Sequence, residues 1–131
     1  MEVDGRLHTG IVGEDVTVDE AYLHARLTGL NLLAVLEAAT GDLCRVSRVV
    51  KLLGFVNSRA GFSEHPSVIN GCSDLFAEVF GMRGVHARSA IGVSSLPNNI
   101  TVEVEGIVAL DNVPISDFPS RPVQAVNQRN A

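Results

Sequence analysis

The residues of this 131-residue chain best placed to do chemistry are Arg88, Ser89 and Ala90, with Glu103 and Glu105 on the element that follows. An arginine fork can grip a carboxylate through two charge-assisted hydrogen bonds. The backbone N–H groups beside Ser89 and Ala90 could hold a further ligand oxygen. A carboxylate such as Glu103 could orient a water, or relay protons if burial raised its pKa. The same residues admit a plainer reading. Charge inside an apolar strand pair is costly unless paired, so Arg88 could instead hold subunits together through Glu103 or Glu105. Both readings stand at this point.

Other candidates are weaker. His8, His24, His65 and His86 are scattered without metal-ligand spacing, so no metal is expected. His86 could line the same cleft as Arg88 but reads more simply as a surface histidine. Cys44 and Cys72 are too few for a disulfide framework, and in their apolar surroundings both read as small hydrophobes. Gly10 and Gly13 lack the third glycine and the strand-to-helix frame of a dinucleotide fingerprint. Asn31 reads as a surface or packing residue, and Asn70 and Ser73 receive no role.

These residues must be positioned by a small domain. The chain is 46% hydrophobic and 19% charged, with net charge −5, which fits one globular domain with a real core. No run approaches the roughly 20 apolar residues of a membrane helix. The acidic balance without a Lys/Arg-rich patch argues against binding a phosphate backbone. Few cysteines and no basic-then-apolar leader point to a reducing, cytoplasmic setting.

Thr17 and Glu20 fit a capping box. Leu23, Leu27, Leu30 and Ala34, widened by Leu33 and Leu36, then predict a sheet-covering helix ending near Gly41. Residues 47–56 form an apolar run without alternation, as in a strand buried on both faces. Pro66 suits a helix start, and Val68, Cys72, Leu75, Phe76 and Val79 continue that helix to Gly81 and Gly84. Two strands follow, joined at Pro97-Asn98-Asn99. The second would turn Ile100, Val102, Val104, Val108 and Leu110 to one face and Thr101, Glu103 and Glu105 to the other. Asp4-Gly5 signals a turn near the start. Residues 1–110 thus read as one domain and 111–131, with three prolines, as a disordered tail. Two helices on one face of the sheet leave an apolar face for another subunit to cover.

Several blocks together resemble the RidA family (YjgF-like, older label endoribonuclease L-PSP). They are Leu30 to Ala39, Val46 to Leu52, Phe55-Val56, Ala87-Arg88-Ser89 with Leu96-Pro97, and Val102-Glu103-Val104-Glu105-Gly106-Ile107. The resemblance implies an α+β, chorismate-mutase-like fold assembled as a homotrimer, with small-molecule sites between subunits. It implies a cofactor-independent deaminase of reactive enamine or imine acids. Arg88 would bind the substrate carboxylate, Ser89 and Ala90 would adjoin it, and Glu103 would position water. The chain departs from the pattern in two ways. Ala90 replaces a cysteine, and the N-terminal strands bearing a tyrosine and a serine are expected to be missing. Tyr22 does not inherit that role. The alternative is a non-catalytic trimeric module binding a small carboxylate through the same arginine.

Overall fold

A computed structural model describes residues 2–3 and 6–111. The elements run β1 (Glu2–Val3), β2 (Arg6–Leu7), α1 (Val18–Thr40), β3 (Val46–Asn57), α2 (His65–Phe80), β4 (Ala87–Val93) and β5 (Val102–Leu110). From α1 onward this is the predicted order of helix, strand, helix, strand, strand. Apart from Asp111, the expected tail lies outside the described residues.

β3 is the middle of a mixed sheet in the order β4-β3-β5, parallel to β4 and antiparallel to β5. The two strands read as neighbours in the sequence therefore do not pair with each other; they flank β3. Their link carries Asn98 and Asn99 at φ 55° and 56°, a left-handed conformation that asparagine tolerates. The lack of alternation in β3 reflects its pairing with β5. Register shifts against β5 fall between Val46 and Arg48 and between Val49 and Lys51. Each shift resets the inward phase, so the buried positions are Val46, Val49, Leu52, Gly54 and Val56, with Asn57 buried at the strand end.

Thr17 caps α1 as expected. Its hydroxyl accepts the Glu20 N–H at 3.2 Å, and the Glu20 carboxylate accepts the Thr17 N–H at 2.8 Å. Gly41 ends the helix at φ 80°. The buried face of α1, however, is Ala21, Ala25, Gly29 and Leu33, whereas Leu23 is 57% and Leu30 47% exposed. The leucine stripe is therefore not the core face. Close approach of α2 selects small residues instead: a Cβ on Gly71 would overlap the Tyr22 carbonyl, and one on Gly29 would lie 2.9 Å from Leu75. Along α2 the buried row ends at Phe80, not Val79, which is 42% exposed. Cys72 is buried as expected; Cys44 is exposed, contrary to its apolar neighbours in sequence.

β1 and β2 form a two-residue antiparallel hairpin outside the main sheet. This is what the described residues hold where the family pattern implied longer strands. The segment after it is stitched to the sheet end. Thr101 N–H donates to the His8 carbonyl, and Val12 N–H donates to that of Asn57. Thr101 is 1% exposed rather than sharing the solvent side with Glu103, because its hydroxyl lies 2.9 Å from His24 Nδ1 on α1.

Candidate functional site

Residues paired across a sheet point to the same side. On the helix side of the sheet the rows are Arg88–Leu52–Gly106, Ala90–Gly54–Val104 and Gly92–Val56–Val102. Leu52 and Val56 are fully buried there. On the opposite side the rows are Ala87–Lys51–Ile107, Ser89–Leu53–Glu105 and Ile91–Phe55–Glu103. That side mixes Ile91 (45% exposed) and Ile107 (61% exposed) with Lys51 and two carboxylates. Arg88 and Ala90 thus face the helices, while Ser89 and Glu103 face away. Within one chain these four residues do not converge.

Arg88 is half-buried and held from α2. Its Nη1 donates to Asn70 Oδ1 at 2.7 Å and to Ser73 Oγ at 3.1 Å. Asn70 and Ser73 sit one helical turn apart, so they face the strand together. Ser73 Oγ also lies 2.9 Å from His86 Nε2, and His86 Nδ1 lies 2.6 Å from the Gly84 carbonyl. The carbonyl can only accept, so Nδ1 carries a proton, and in the neutral ring Nε2 accepts from the serine. The serine oxygen is then left to accept from Arg88. Asn70 and Ser73, left without a role by the sequence, are the residues that aim the arginine. His86 belongs to the same chain of bonds and is not a free surface histidine. The legible signal was a polar pair at i, i+3 interrupting an apolar helix face.

Among the described residues no carboxylate pairs with Arg88, and its Nε and Nη2 have no protein partner. Arg88 borders a shallow groove of about 460 Å³ that is also lined by Ser73, Asp74, Ala77, Gly84, Val85 and His86. Asp74 is engaged at the rim, accepting from the Tyr22 hydroxyl at 2.7 Å. That bond holds the phenol above its ordinary pKa. Burial pushes the Cys72 thiol up to about 12, against the opposing effect of the Arg88 charge. It therefore offers no thiolate. Among the described residues no cluster of three His, Cys, Asp or Glu could hold a metal, and no helix is long and apolar enough to cross a membrane.

A mixed sheet backed by two helices, with an arginine aimed from its edge strand, defines an α+β protein of chorismate-mutase-like fold. Residues 3–108 match the family described as "YjgF/chorismate mutase-like, putative endoribonuclease", and the chain belongs to that family. It is 48% identical over 109 residues to Protein TCP17 of Trypanosoma cruzi, covering 82% of this chain and 68% of that protein. It is 30% identical over 108 residues to a 2-iminobutanoate/2-iminopropanoate deaminase of Dermatophagoides farinae, covering 79% and 76%. Among solved structures, Atu1372 of Agrobacterium tumefaciens, a protein of unknown function, superposes with TM-score 0.81 at 48% identity, covering 85% of this chain and 71% of that one. A "putative endoribonuclease" of Shewanella oneidensis MR-1 superposes with TM-score 0.80 at 35% identity, covering 83% and 73%.

Proposed function

We propose that the chain is a cofactor-independent deaminase of small 2-imino acids, working in the cytoplasm as a homotrimer with its sites between subunits. The observation that carries this reading is the guanidinium of Arg88, fixed through Nη1 by Asn70 and Ser73 while Nε and Nη2 stay open. Two parallel free donors suit a substrate carboxylate. The Dermatophagoides farinae relative is a deaminase of this substrate class, which supports the assignment. Glu103 faces the other side of the sheet, so the glutamate serving a given arginine comes from a neighbouring copy.

Water then adds to the imine carbon, forming a C–O bond, with its proton passing through the glutamate to nitrogen. As the carbinolamine collapses its hydroxyl proton passes through the glutamate to the amine, the C=O bond forms and the C–N bond breaks, releasing ammonia and leaving the 2-keto acid. An enamine acid enters after tautomerising to the imine. Ser89 and Ala90 adjoin the site on the edge strand, where successive N–H groups alternate in direction, so one of the two offers its N–H outward. Net charge −5 disfavours a nucleic-acid phosphate backbone as the partner.

The second reading is a module that binds a small carboxylate without turnover, favoured by Ala90 where the deaminase pattern has a thiol. Keto-acid release from an imino acid generated in situ separates the two. Turnover abolished by Arg88→Ala upholds the deaminase. Carboxylate binding without turnover above background, in folded and trimeric protein, leaves the binding module.

A further inference from the structure

We propose a second site on this chain, for a compact oxyanion, at the end of β4 away from Arg88. A cavity of about 360 Å³ lies there between the loop after β3 and the start of α2, lined in part by Ser58, Arg59, Phe62, His65, Gly92 and Ser94. Gly92 follows Arg88 on the same face of β4 by four residues, about 13 Å at the usual strand rise. The two sites are therefore separate.

Arg59 is the centre of it. Its backbone N–H donates to the Val12 carbonyl at 3.1 Å, and its Nη1 donates to the Ala60 carbonyl at 3.1 Å. Its stem crosses Gly13, where φ is 91° and a Cβ would lie 3.0 Å from Arg59 Cγ and Nε. Arg59 is exposed, with its side chain tethered by its Ala60 bond and by its contact with Gly13, and Nε and Nη2 keep their donors. Among the described residues no carboxylate pairs with it, in a chain of net charge −5.

The remaining groups fit the same ligand. Ser58 Oγ and His65 Nε2 lie 3.4 Å apart. Both turn toward Gly92, where a Cβ would overlap His65 Nε2 and lie 2.7 Å from Ser58 Oγ. The missing side chain at 92 is what makes room for them. Phe62 stands edge-on to the His65 ring, centroids 5.1 Å apart at 90°, which sets the imidazole plane. The lining holds a guanidinium, an imidazole and two serine hydroxyls, and no carboxylate. Donors converging with no carboxylate among them favour an oxyanion, and the volume suits a small metabolite's carboxylate or phosphate.

Imidazole NMR tests this directly, because His65 reports this cavity and His86 the Arg88 groove. The full chain is titrated with inorganic phosphate and, separately, acetate at constant pH. His65 and the Arg59 Nε–H signal of the parent are expected to move together and saturate at one midpoint. A response to phosphate alone identifies a phosphoryl ligand and to acetate alone a carboxylate; a response to both identifies oxyanions in general. Arg59→Gln should weaken the midpoint at least tenfold. Gly92→Ala should abolish the response without touching Arg59. No saturable movement of His65 with either anion overturns the site. So does an unchanged midpoint in folded Arg59→Gln.

Discussion

Arg88 and Glu103 lie on opposite faces of one sheet and on opposite flanks of β3: Arg88 pairs with buried Leu52, and Glu103 pairs with Phe55 on the side away from the helices. No side-chain rotation brings them together within a chain. If both serve one reaction, each site draws on two copies.

This separation makes subunit complementation informative. Arg88→Ala and Glu103→Gln should each abolish keto-acid release alone. Unfolded together and reassembled at equal ratio, they should recover about a quarter of parental activity, the share of arginine–glutamate contacts that join two intact residues in a head-to-tail ring. Recovery no greater than in either variant alone would place both residues in one subunit's site or remove Glu103 from the chemistry.

Asn70 should act through Arg88. Asn70→Ala removes the shorter of the two bonds that hold Nη1, and a hydrogen bond to a charged group contributes roughly 1.5–3 kcal/mol. We expect KM for an imino acid to rise about tenfold or more, with kcat changed much less, because carboxylate grip and not water attack is disturbed. Asn70→Asp should fare worse, pairing with the fork and competing with the substrate carboxylate.

The two helices should be far more sensitive to a methyl at Gly71 than at Gly41. At Gly71 a Cβ meets the Tyr22 carbonyl, and overpacking of this kind costs roughly 1–3 kcal/mol or more. Gly41 has open space around it and only its φ of 80° to defend, about 1 kcal/mol. Denaturant midpoints of Gly71→Ala and Gly41→Ala measured side by side check the order.

Stability should fall on mild acidification through His24. Burial first, then the charge of His8, holds its pKa below the ordinary 6.5, with Glu20 pulling weakly the other way. The rings of His8 and His24 stack at 4.4 Å between centroids. The unfolded chain therefore takes up the proton more readily. The contribution is fully present above about pH 6.5 and is lost as pH falls from there through the lower folded value. A thermal midpoint followed from pH 8 to 5 should drop over that range. His24→Asn, whose amide can still reach Thr101, should flatten the drop.

How much of this was legible in the chain follows from the range of each interaction. The capping box of Thr17 and Glu20, the stop at Gly41, the start of α2 at Pro66 and the order of elements are local, and sequence determined them. It determined Arg88 as the residue to watch, since an arginine within a run of small and apolar residues needs a partner. The α+β class belongs to the same level.

Tertiary structure decided what local pattern leaves open. The exposed leucines of α1 and its buried Ala21, Ala25 and Gly29 differ only in how near α2 comes, which no window of one helix records. The phase of β3 depends on two register shifts against a distant strand. Asn70 and Ser73 stand out on α2 as a polar pair, but what they hold is decided only when β4 is laid beneath them. Arg88 and Glu103 are close in sequence, yet the sheet between them sends one toward the helices and the other to the opposite face.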